Sequence, residues 1–241
     1  MEVIKTINLT KKYKDVVAVD NLNLSINEGE LFALLGINGA GKSTTIKMLS
    51  TLVRPTGGNA FICGLDISKD EEKIKEIIGV SFQETAIANN LTVKENLKFI
   101  CDIYGFDKQK SIDKIQEICK QFDLEEVINK KASKLSGGYK RRLSIAMSLI
   151  SDPKVLFLDE PTLGLDVIAR SKLWEIIKSL KSKITIILTT HYMEEAEELA
   201  DRIAIMKSGH LLAIDTLENL KKTTNKDSLE KIFISIVKEE K

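Results

Sequence analysis

The stretch that decides the fold is Gly36-Ile37-Asn38-Gly39-Ala40-Gly41-Lys42-Ser43, which matches the pattern G-x-x-x-x-G-K-[ST]. The apolar run from Glu30 to Leu35 before it predicts a strand buried on both faces, and Ser43 to Leu52 after it predicts a helix. In that order, successive backbone N–H groups and a helix N-terminus face an anion. The sequence therefore predicts a phosphate-binding loop.

Within this loop, Lys42 is expected to pair with the outer phosphates of a nucleotide, and Ser43 to ligate Mg²⁺. The alternative is a glycine-rich turn without a ligand, but the strand and the helix that flank the turn argue against it. The residues assigned to nucleotide binding here are Gly36, Ile37, Asn38, Gly39, Ala40, Gly41, Lys42, Ser43 and Thr44.

A second apolar run, Val155 to Leu158, is followed by two carboxylates, Asp159 and Glu160. In open α/β folds, ligands bind at the carboxyl edge of the sheet, where such residues lie. Asp159 would hold Mg²⁺, directly or through water, and Glu160 would orient and deprotonate the water that attacks the γ-phosphate. A solvated turn is the alternative for an isolated Asp-Glu pair, and the upstream phosphate loop argues against it.

The strand pattern predicts an α/β core with a parallel sheet. Val155 to Leu158 and Ile184 to Thr189 each sit beside a helical segment, Ile168 to Leu180 and Met193 to Ala200, which is the rhythm of βαβ units. Ile203 to Met206 and His210 to Ile214 flank a hairpin-like turn at residues 207–209.

The N-terminus predicts an antiparallel β edge, because Val3 to Leu9 and Val16 to Ile26 alternate apolar and polar residues. The polar run Lys11 to Asp15 is expected to break these strands. At the other end, Lys221 to Lys226 is interpreted as a solvated link to a last element, Ser228 to Val237.

Amphipathic helices replace the strand pattern between about Glu84 and Leu149, for example Val93 to Tyr104 and Ile112 to Phe122. The predicted fold is thus a P-loop α/β protein with a mixed sheet and an inserted helical lobe. Its expected parts are a core of residues 1–83 and 150–215, a helical lobe of residues 84–149 and a tail of residues 216–241.

Composition limits the function further. The 241 residues are 43% hydrophobic and 29% charged, with a net charge of +1, so no whole-chain field attracts nucleic acid or anionic lipid. Cys63, Cys101 and Cys119 lack the spacing of a metal site or disulfide framework, and reduced, mostly buried thiols are expected. No signal peptide and no run of about 18 apolar residues is found, so the chain is expected to stay on the side where it is made.

The run Leu135-Ser136-Gly137-Gly138-Tyr139 resembles the LSGGQ signature of the ABC ATPase family. In isolation, Ser136 and the two glycines could form only a helix N-cap with a flexible entry. Tyr139 replaces the usual glutamine at the fifth position, while Ser136, Gly137 and Gly138, which face phosphate in the family, are retained.

Four more landmarks resemble the family in their order along the chain. Tyr13 resembles the aromatic that stacks on adenine, or is an edge-strand tyrosine. Gln83 resembles the glutamine that touches Mg²⁺ or the attacking water, or is a polar strand-end residue. Asp166 resembles the aspartate that faces a second subunit, or caps a helix. His191 resembles the switch histidine at the γ-phosphate, or is a structural hydrogen-bonding residue.

The resemblance covers essentially the whole chain and implies an ATPase with a RecA-like core that uses ATP and Mg²⁺. It implies that two copies join head to tail, with each ATP between the phosphate loop of one and the signature of the other. Integral membrane subunits would be the other partners, no direct nucleic-acid binding is expected, and the chain would lie in the cytoplasm at the inner face of the cell membrane.

Three runs look most like the type-2 exporter ATPases, which serve drug, sodium and glycolipid export: 138–143, 191–196 and 227–233. An importer ATPase is the nearest alternative. A soluble relative acting on DNA or ribosomes usually carries coiled coils, zinc-binding inserts or two cassettes, which this sequence lacks. A non-hydrolysing clamp is disfavoured by Glu160 and His191. The transported substrate is chosen by the membrane subunit in this family.

The segment from Glu84 to Tyr104 is predicted to be the surface on which a membrane subunit docks. Thr85 to Leu91 is unusually apolar for a solvent-facing connection, and Thr92 could cap the helix that follows. The alternative is that Ile87 and Leu91 fold back onto the core of the helical lobe. The family favours docking, because its membrane subunits insert a short coupling helix here.

Overall fold

The computed structural model describes residues 1–239, and its contacts divide the chain into two compact units. The first unit combines residues 1–75 with the chain from residue 181 onward, and the second comprises residues 76–180. The second unit joins the helical lobe to two strands and a long helix, so this division does not resolve the boundaries predicted at residues 83 and 150. The last two residues of the predicted 216–241 tail lie outside the described residues.

As far as residue 239, where the description ends, the first unit has strands of two sheets and five helices or parts of helices. Its strands are β1 (Glu2–Tyr13), β2 (Val16–Leu22), β3 (Ser25–Asn27), β4 (Leu31–Gly36), β5 (Gly57–Ile62), β6 (Leu65–Asp66), β9 (Thr185–Thr190), β10 (Arg202–Lys207) and β11 (His210–Asp215). Its helices are α1 (Lys42–Leu49), α7 (Met193–Leu199), α8 (Leu217–Thr224), α9 (Leu229–Glu239) and most of α2 (Glu71–Ile77).

The predicted antiparallel edge is confirmed as a sheet in the order β2-β1-β5-β6, with β3 also paired to β1. The predicted break at Lys11 is wrong, because β1 continues through it with bulges and ends at Tyr13. At this end β1 pairs with β2 alone, beyond its last pair with β5 at Thr10 and Gly57. Lys12 is exposed there, and the half-buried Lys11 donates a hydrogen bond from its ammonium to the carbonyl of Arg54 (2.7 Å). The turn comes at Lys14, which has a φ of 50°.

The core of the first unit is a mixed sheet in which β10, β4 and β9 run parallel and β11 joins β10 antiparallel. Every residue of β4 and of β9 is buried, as expected for continuous apolar runs in a parallel sheet. The predicted hairpin at residues 207–209 is confirmed as the connection between β10 and β11.

The second unit contains the parallel pair β7 (Ile78–Ser81) and β8 (Val155–Asp159), two short 3-10 helices (Glu125–Val127 and Ala132–Lys134) and four α-helices. The helices are α3 (Val93–Ile103), α4 (Lys108–Gln121), α5 (Gly137–Ser148) and α6 (Val167–Leu180). Cys101 and Cys119 are free and buried in α3 and α4, and burial raises the pKa of the Cys119 thiol to about 11. Cys63 is half-buried, so two of the three thiols are buried, in line with the expectation that they are mostly buried.

The segment from Lys221 to Lys226 is not an extended link, since α8 runs through Thr224 and ends at Asn225 in a left-handed conformation. The last element is confirmed as the helix α9, and Lys207 donates a hydrogen bond to the carbonyl of Val237 within it (2.8 Å). None of the helices in residues 1–239 is long and apolar enough to cross a membrane.

Candidate nucleotide site

The phosphate loop lies where the sequence predicts it, between the buried strand β4 and helix α1. The Lys42 ammonium is buried and donates hydrogen bonds to the carbonyls of Gly36 (2.7 Å) and Ile37 (3.2 Å). Helix α1 begins after Gly41 without a side-chain cap and without an acidic residue in its first turn. Its first N–H groups and the positive end of its dipole are therefore suited to an anion.

Two positions of the loop must be glycine, because main-chain carbonyls of other segments lie where a Cβ atom would be. A Cβ at Gly36 would lie 2.6 Å from the carbonyl oxygen of Met206, and a Cβ at Gly41 would lie 2.5 Å from that of Ala18. Gly41 also has a φ of 103°, which disfavours any other residue. The amide of Gly209 donates to the carbonyl of Ala40 (3.1 Å), so β2, β10 and the β10–β11 turn together hold the loop.

His191 follows β9 at the same edge of the sheet as the phosphate loop. In the parallel register, Leu35 of β4 lies opposite Thr190 of β9, so Gly36 and His191 are the next residues of their respective strands. The ring of His191 lies 4.2 Å from that of Tyr192, centroid to centroid. The structure thus brings the predicted switch histidine level with the first residue of the loop.

Tyr13 ends β1, where it pairs with Val16 and is partly exposed, with the Lys11 ammonium 5.0 Å from its ring centroid. Tyr13 is thus the last residue of an inner strand and is paired with the edge strand β2, so it does not itself lie on an edge strand. Val16, the residue paired with Tyr13, lies two residues before Ala18 in β2. The carbonyl of Ala18 packs against Gly41 of the phosphate loop. This position is compatible with a base-stacking role beside the phosphate loop.

In the second unit, Gln83, Asp159 and Glu160 meet at the carboxyl ends of β7 and β8. Ser81 lies opposite Leu158 in the parallel register, so Gln83 and Glu160 each stand two residues further along their chains. Asp159 and Glu160 are both buried, whereas Gln83 is exposed. Glu160 has a φ of 50°, an uncommon left-handed conformation for a residue other than glycine.

The signature begins helix α5 as its plain alternative predicts, because the Ser136 hydroxyl accepts a long hydrogen bond from the Tyr139 amide (3.5 Å). Ser136 and Gly137 are exposed. Gly138 is needed for packing, since a Cβ there would lie 2.9 Å from the Cβ of Ala169. The ring of Tyr139, the departure from the family pattern, stacks under the Arg142 guanidinium at 4.3 Å.

Asp166 caps helix α6, since its carboxylate accepts a hydrogen bond from the Ala169 amide (2.9 Å). Next to this cap, Val167 and Ile168 are each 71% exposed, which is unusual for two consecutive apolar residues. A capping role is thus present, and an exposed apolar pair adjoins it.

Sequence reasoning missed Arg141. This buried residue of α5 donates hydrogen bonds to the backbone carbonyls of Phe82, Asp159 and Pro161. No motif in the sequence indicates these contacts, because the acceptors are main-chain atoms 18 to 59 residues away.

A phosphate loop between a buried strand and a helix, with a switch-type histidine at the next strand end, defines an α/β P-loop nucleotide-binding protein. A family model described as "ABC transporter" matches residues 19–163. Because that match covers more than half of the chain, the chain belongs to the ABC transporter family, whose ATP-binding cassette it represents.

Named relatives and a solved structure are similar over most of this chain. The probable multidrug ABC transporter ATP-binding protein YbhF of Escherichia coli K12 is 39% identical over 241 residues, which cover 98% of this chain and 42% of that protein. The daunorubicin resistance ATP-binding protein DrrA2 of Streptomyces coeruleorubidus is 39% identical over 223 residues, covering 92% of this chain and 69% of that protein. The chain therefore spans less than half the length of the first and about two thirds of the second.

The cassette MJ0796, solved as a dimer in a post-hydrolysis state bound to ADP and phosphate, is 30% identical with a TM-score of 0.80. The match covers 89% of this chain and 98% of that one.

Proposed function

We propose that this chain is the ATP-hydrolysing subunit that drives export through a separate membrane protein. The observation that carries nucleotide binding is the phosphate loop, with its buried lysine and its uncapped helix N-terminus. Export is supported by the names of similar proteins, a probable multidrug transporter subunit and a daunorubicin resistance protein. In a cell, the chain would then act at the inner face of the cell membrane.

The donor set proposed for Mg²⁺ fits that ion. Ser43, Gln83 and Asp159 would offer a hydroxyl, an amide carbonyl and a carboxylate, and Mg²⁺ prefers such hard oxygen ligands. Mg²⁺ commonly uses one or two protein carboxylates together with substrate phosphates, so few protein ligands suffice. The ion would neutralise charge on the phosphates when it is bound.

For hydrolysis, we assign Glu160 to the attacking water, whose proton its carboxylate would accept while the water oxygen bonds the γ-phosphorus and ADP leaves. His191, next to the phosphate loop in register, would contact the γ-phosphate. Gln83 would orient the water or the metal. Tyr13 would stack on adenine, because its hairpin adjoins the loop through Ala18.

We further propose that two copies pair head to tail, with Ser136, Gly137 and Gly138 of one on the ATP of the other. The exposed Ser136 and Gly137 at the start of α5 support this, as does the dimer formed by the similar cassette. The exposed pair Val167 and Ile168 beside Asp166 suits a surface that a second copy covers.

Replacing Ser136 with arginine should leave nucleotide binding by the single chain unchanged but abolish pairing with ATP, because the signature acts on the nucleotide of the partner. The test is size-exclusion chromatography of the Glu160→Gln and Ser136→Arg/Glu160→Gln variants, each with and without ATP. Ser133→Arg/Glu160→Gln, changed at an exposed residue of the short 3-10 helix just before the signature, is the matched control and should still pair. Pairing by the Ser136→Arg/Glu160→Gln variant would contradict the composite site.

The docking surface predicted over residues 84–104 needs one change. Ile87 is only 9% exposed, so the alternative in which it folds back into its own unit holds for this residue. Helix α3 instead exposes Phe99 (55%) and Ile103 (62%), which are four residues apart and so lie on one helix face. We propose this face as the contact with an apolar segment of the membrane subunit.

The helix that carries this face is well anchored. Thr92 forms a capping box with Glu95, as predicted for Thr92, and the Thr92 amide lowers the pKa of the Glu95 carboxyl by donating to it. On the inner side, Leu97 and Cys101 are fully buried. Substitutions at Phe99 and Ile103 should therefore change the surface of α3 without unfolding it.

A Phe99→Ser/Ile103→Ser variant is expected to keep the ATPase rate of the purified chain and to lose co-purification with the membrane subunit. The functional test uses inside-out vesicles that contain both subunits, in which an exporter drives ATP-dependent uptake of a fluorescent anthracycline. Uptake should occur with the wild-type chain and fall to background with the variant. Ile112→Ser, at an exposed apolar position on α4, is the control and should retain uptake.

Normal assembly and uptake by the Phe99→Ser/Ile103→Ser variant would place the docking surface elsewhere. ATP-dependent loss of anthracycline from the vesicles, instead of uptake, would contradict export. Uptake without any membrane subunit would contradict the two-component arrangement.

A further inference from the structure

The buried guanidinium of Arg141 joins the signature helix to the two strand ends that carry the proposed catalytic residues. Its Nη1 donates to the carbonyl of Phe82, its Nη2 to that of Asp159 (2.6 Å), and its Nε to that of Pro161 (2.8 Å). A fourth, longer contact reaches the carbonyl of Gln83 (3.5 Å). The side chain of Arg141 is buried in the second unit, within which all these contacts lie.

Two of these acceptors stand immediately before and after Glu160. The peptide carbonyls of Asp159 and Pro161 both point to one guanidinium, so the chain direction on each side of Glu160 is fixed by the same planar group. Glu160 between them adopts a φ of 50°, which costs free energy for a residue with a side chain. Such a conformation persists only where its surroundings over-determine it, and the guanidinium supplies two such constraints.

The other acceptors belong to the segment that contains Gln83. Because Nη1 contacts Phe82 and Gln83 while Nη2 and Nε contact the carbonyls around Glu160, the rigid fork sets the spacing between the two strand ends. A lysine could not replace this residue, because its compact ammonium lacks the planar, rigid fork of donors with which the guanidinium binds three carbonyls at once.

From these contacts we propose that Arg141 is a positioning residue for ATP hydrolysis: it holds Glu160 in its left-handed conformation and in register with Gln83. The proposal rests on the assignment of Glu160 to the attacking water. The contacts described above are all to main-chain carbonyls, so Arg141 would act through the backbone of the residues assigned to the attacking water. Since it belongs to α5, it also makes the placement of Glu160 sensitive to the helix that begins with the signature.

Arg142 provides a matched control on the same helix. It is equally buried, at 7% exposure against 5% for Arg141, and also binds main-chain carbonyls. Its acceptors are Phe122 and Asp123 at the end of α4, away from the strand ends. Loss of Arg142 should therefore lower stability without a specific effect on hydrolysis.

The test compares kcat, KM for ATP and the melting temperature of Arg141→Met and Arg142→Met. For Arg141→Met we expect kcat to fall about 100-fold, the scale of a misplaced catalytic group, with KM changed less than about threefold. For Arg142→Met we expect a similar loss of melting temperature and a kcat within about threefold of wild type. Equal losses of kcat in both variants, or a loss confined to KM, would overturn the proposal.

A double variant separates positioning from a general structural effect. If Arg141 acts through Glu160, Arg141→Met should cost little further activity in a Glu160→Gln background, measured by single turnover. If the rate of the double variant falls by the product of the two single-variant losses, the proposal is overturned. A Glu160→Gln chain with nearly normal turnover would instead remove the assignment of Glu160, which is a different failure.

Should Arg141→Met fold poorly, Arg141→Ala with added guanidinium chloride gives an independent measurement. About 20 mM guanidinium, far below the molar concentrations used to denature proteins, should raise kcat at least about fivefold if the planar cation refills its site. Arg142→Ala should show no such increase. Equal activation of both variants, or of neither, would overturn the proposal.

Discussion

Replacing Glu160 with glutamine is expected to lower kcat by about 10²–10⁴-fold, the usual contribution of a general base, while MgATP still binds. Glutamine keeps the shape of glutamate but cannot accept the proton of the attacking water. Glutamine should also adopt the left-handed backbone conformation of position 160, whose neighbouring carbonyls bind Arg141, so the second unit should remain folded. The measurements are steady-state phosphate release and nucleotide titration on the same preparation.

Glu175→Gln serves as the matched control, because Glu175 is an exposed glutamate of α6 in the same unit and should leave kcat unchanged. Near wild-type turnover in the Glu160→Gln chain would reject Glu160 as the base. Loss of ATP binding would instead show that the buried Glu160 carboxylate is needed to maintain the structure.

Replacing Lys42 with alanine is expected to weaken ATP binding by about 10- to 150-fold, the equivalent of one charge-assisted hydrogen bond to a phosphate. A cation that faces phosphate acts in the ground state as well as in the transition state, so the defect should appear in affinity. The check is a fluorescence titration with a labelled ATP analogue. Lys47→Ala, at an exposed position on the same helix, should bind normally.

Lys42 also donates to two carbonyls of its own loop, so the alanine variant could relax the loop as well as remove the charge. Lys42→Met retains much of the side-chain bulk and should show the same loss of affinity. Unchanged affinity in both variants would place the phosphate site elsewhere in the chain.

The parts that sequence alone predicted well are those where burial and motif agree. The strands β4, β8 and β9 are continuous apolar runs because neighbours cover both of their faces, so their positions could be read directly. The phosphate loop and the cap at Thr92 are local patterns that act within a few residues. Such signals do not depend on the rest of the fold.

Other features were missed because they depend on contacts distant in sequence. The strand β5 is rich in glycine and half-exposed, and it is defined by its pairing with β1 about fifty residues earlier. The helix α8 contains a lysine-rich run that resembles a loop, yet it is capped by Thr216 and anchored by the buried Leu220. Propensity is a weak guide where tertiary packing decides.

The candidate site divides in the same way. From the sequence, the types and order of four residues indicated a nucleotide site: Lys42, Asp159, Glu160 and His191. The contacts that hold the backbone of these residues in place could not be predicted. Arg141 recognises carbonyl oxygens, which every residue carries, so no pattern of side chains could reveal its partners. The fate of Ile87 was likewise open, because an apolar residue in a loop is consistent with both docking and self-packing.

The close packing around the phosphate loop also bears on how this chain can change in evolution. Gly36 and Gly41 have no room for a methyl group because the carbonyls of Met206 and Ala18 occupy that space, a constraint that comes from the protein's own packing. A descendant that had lost the need for ATP would therefore still be under selection to keep both glycines, simply to fold. In such a lineage, substitutions should appear first at Lys42 and Glu160. These two positions therefore distinguish a cassette that hydrolyses ATP from one that has lost this activity better than the glycines do.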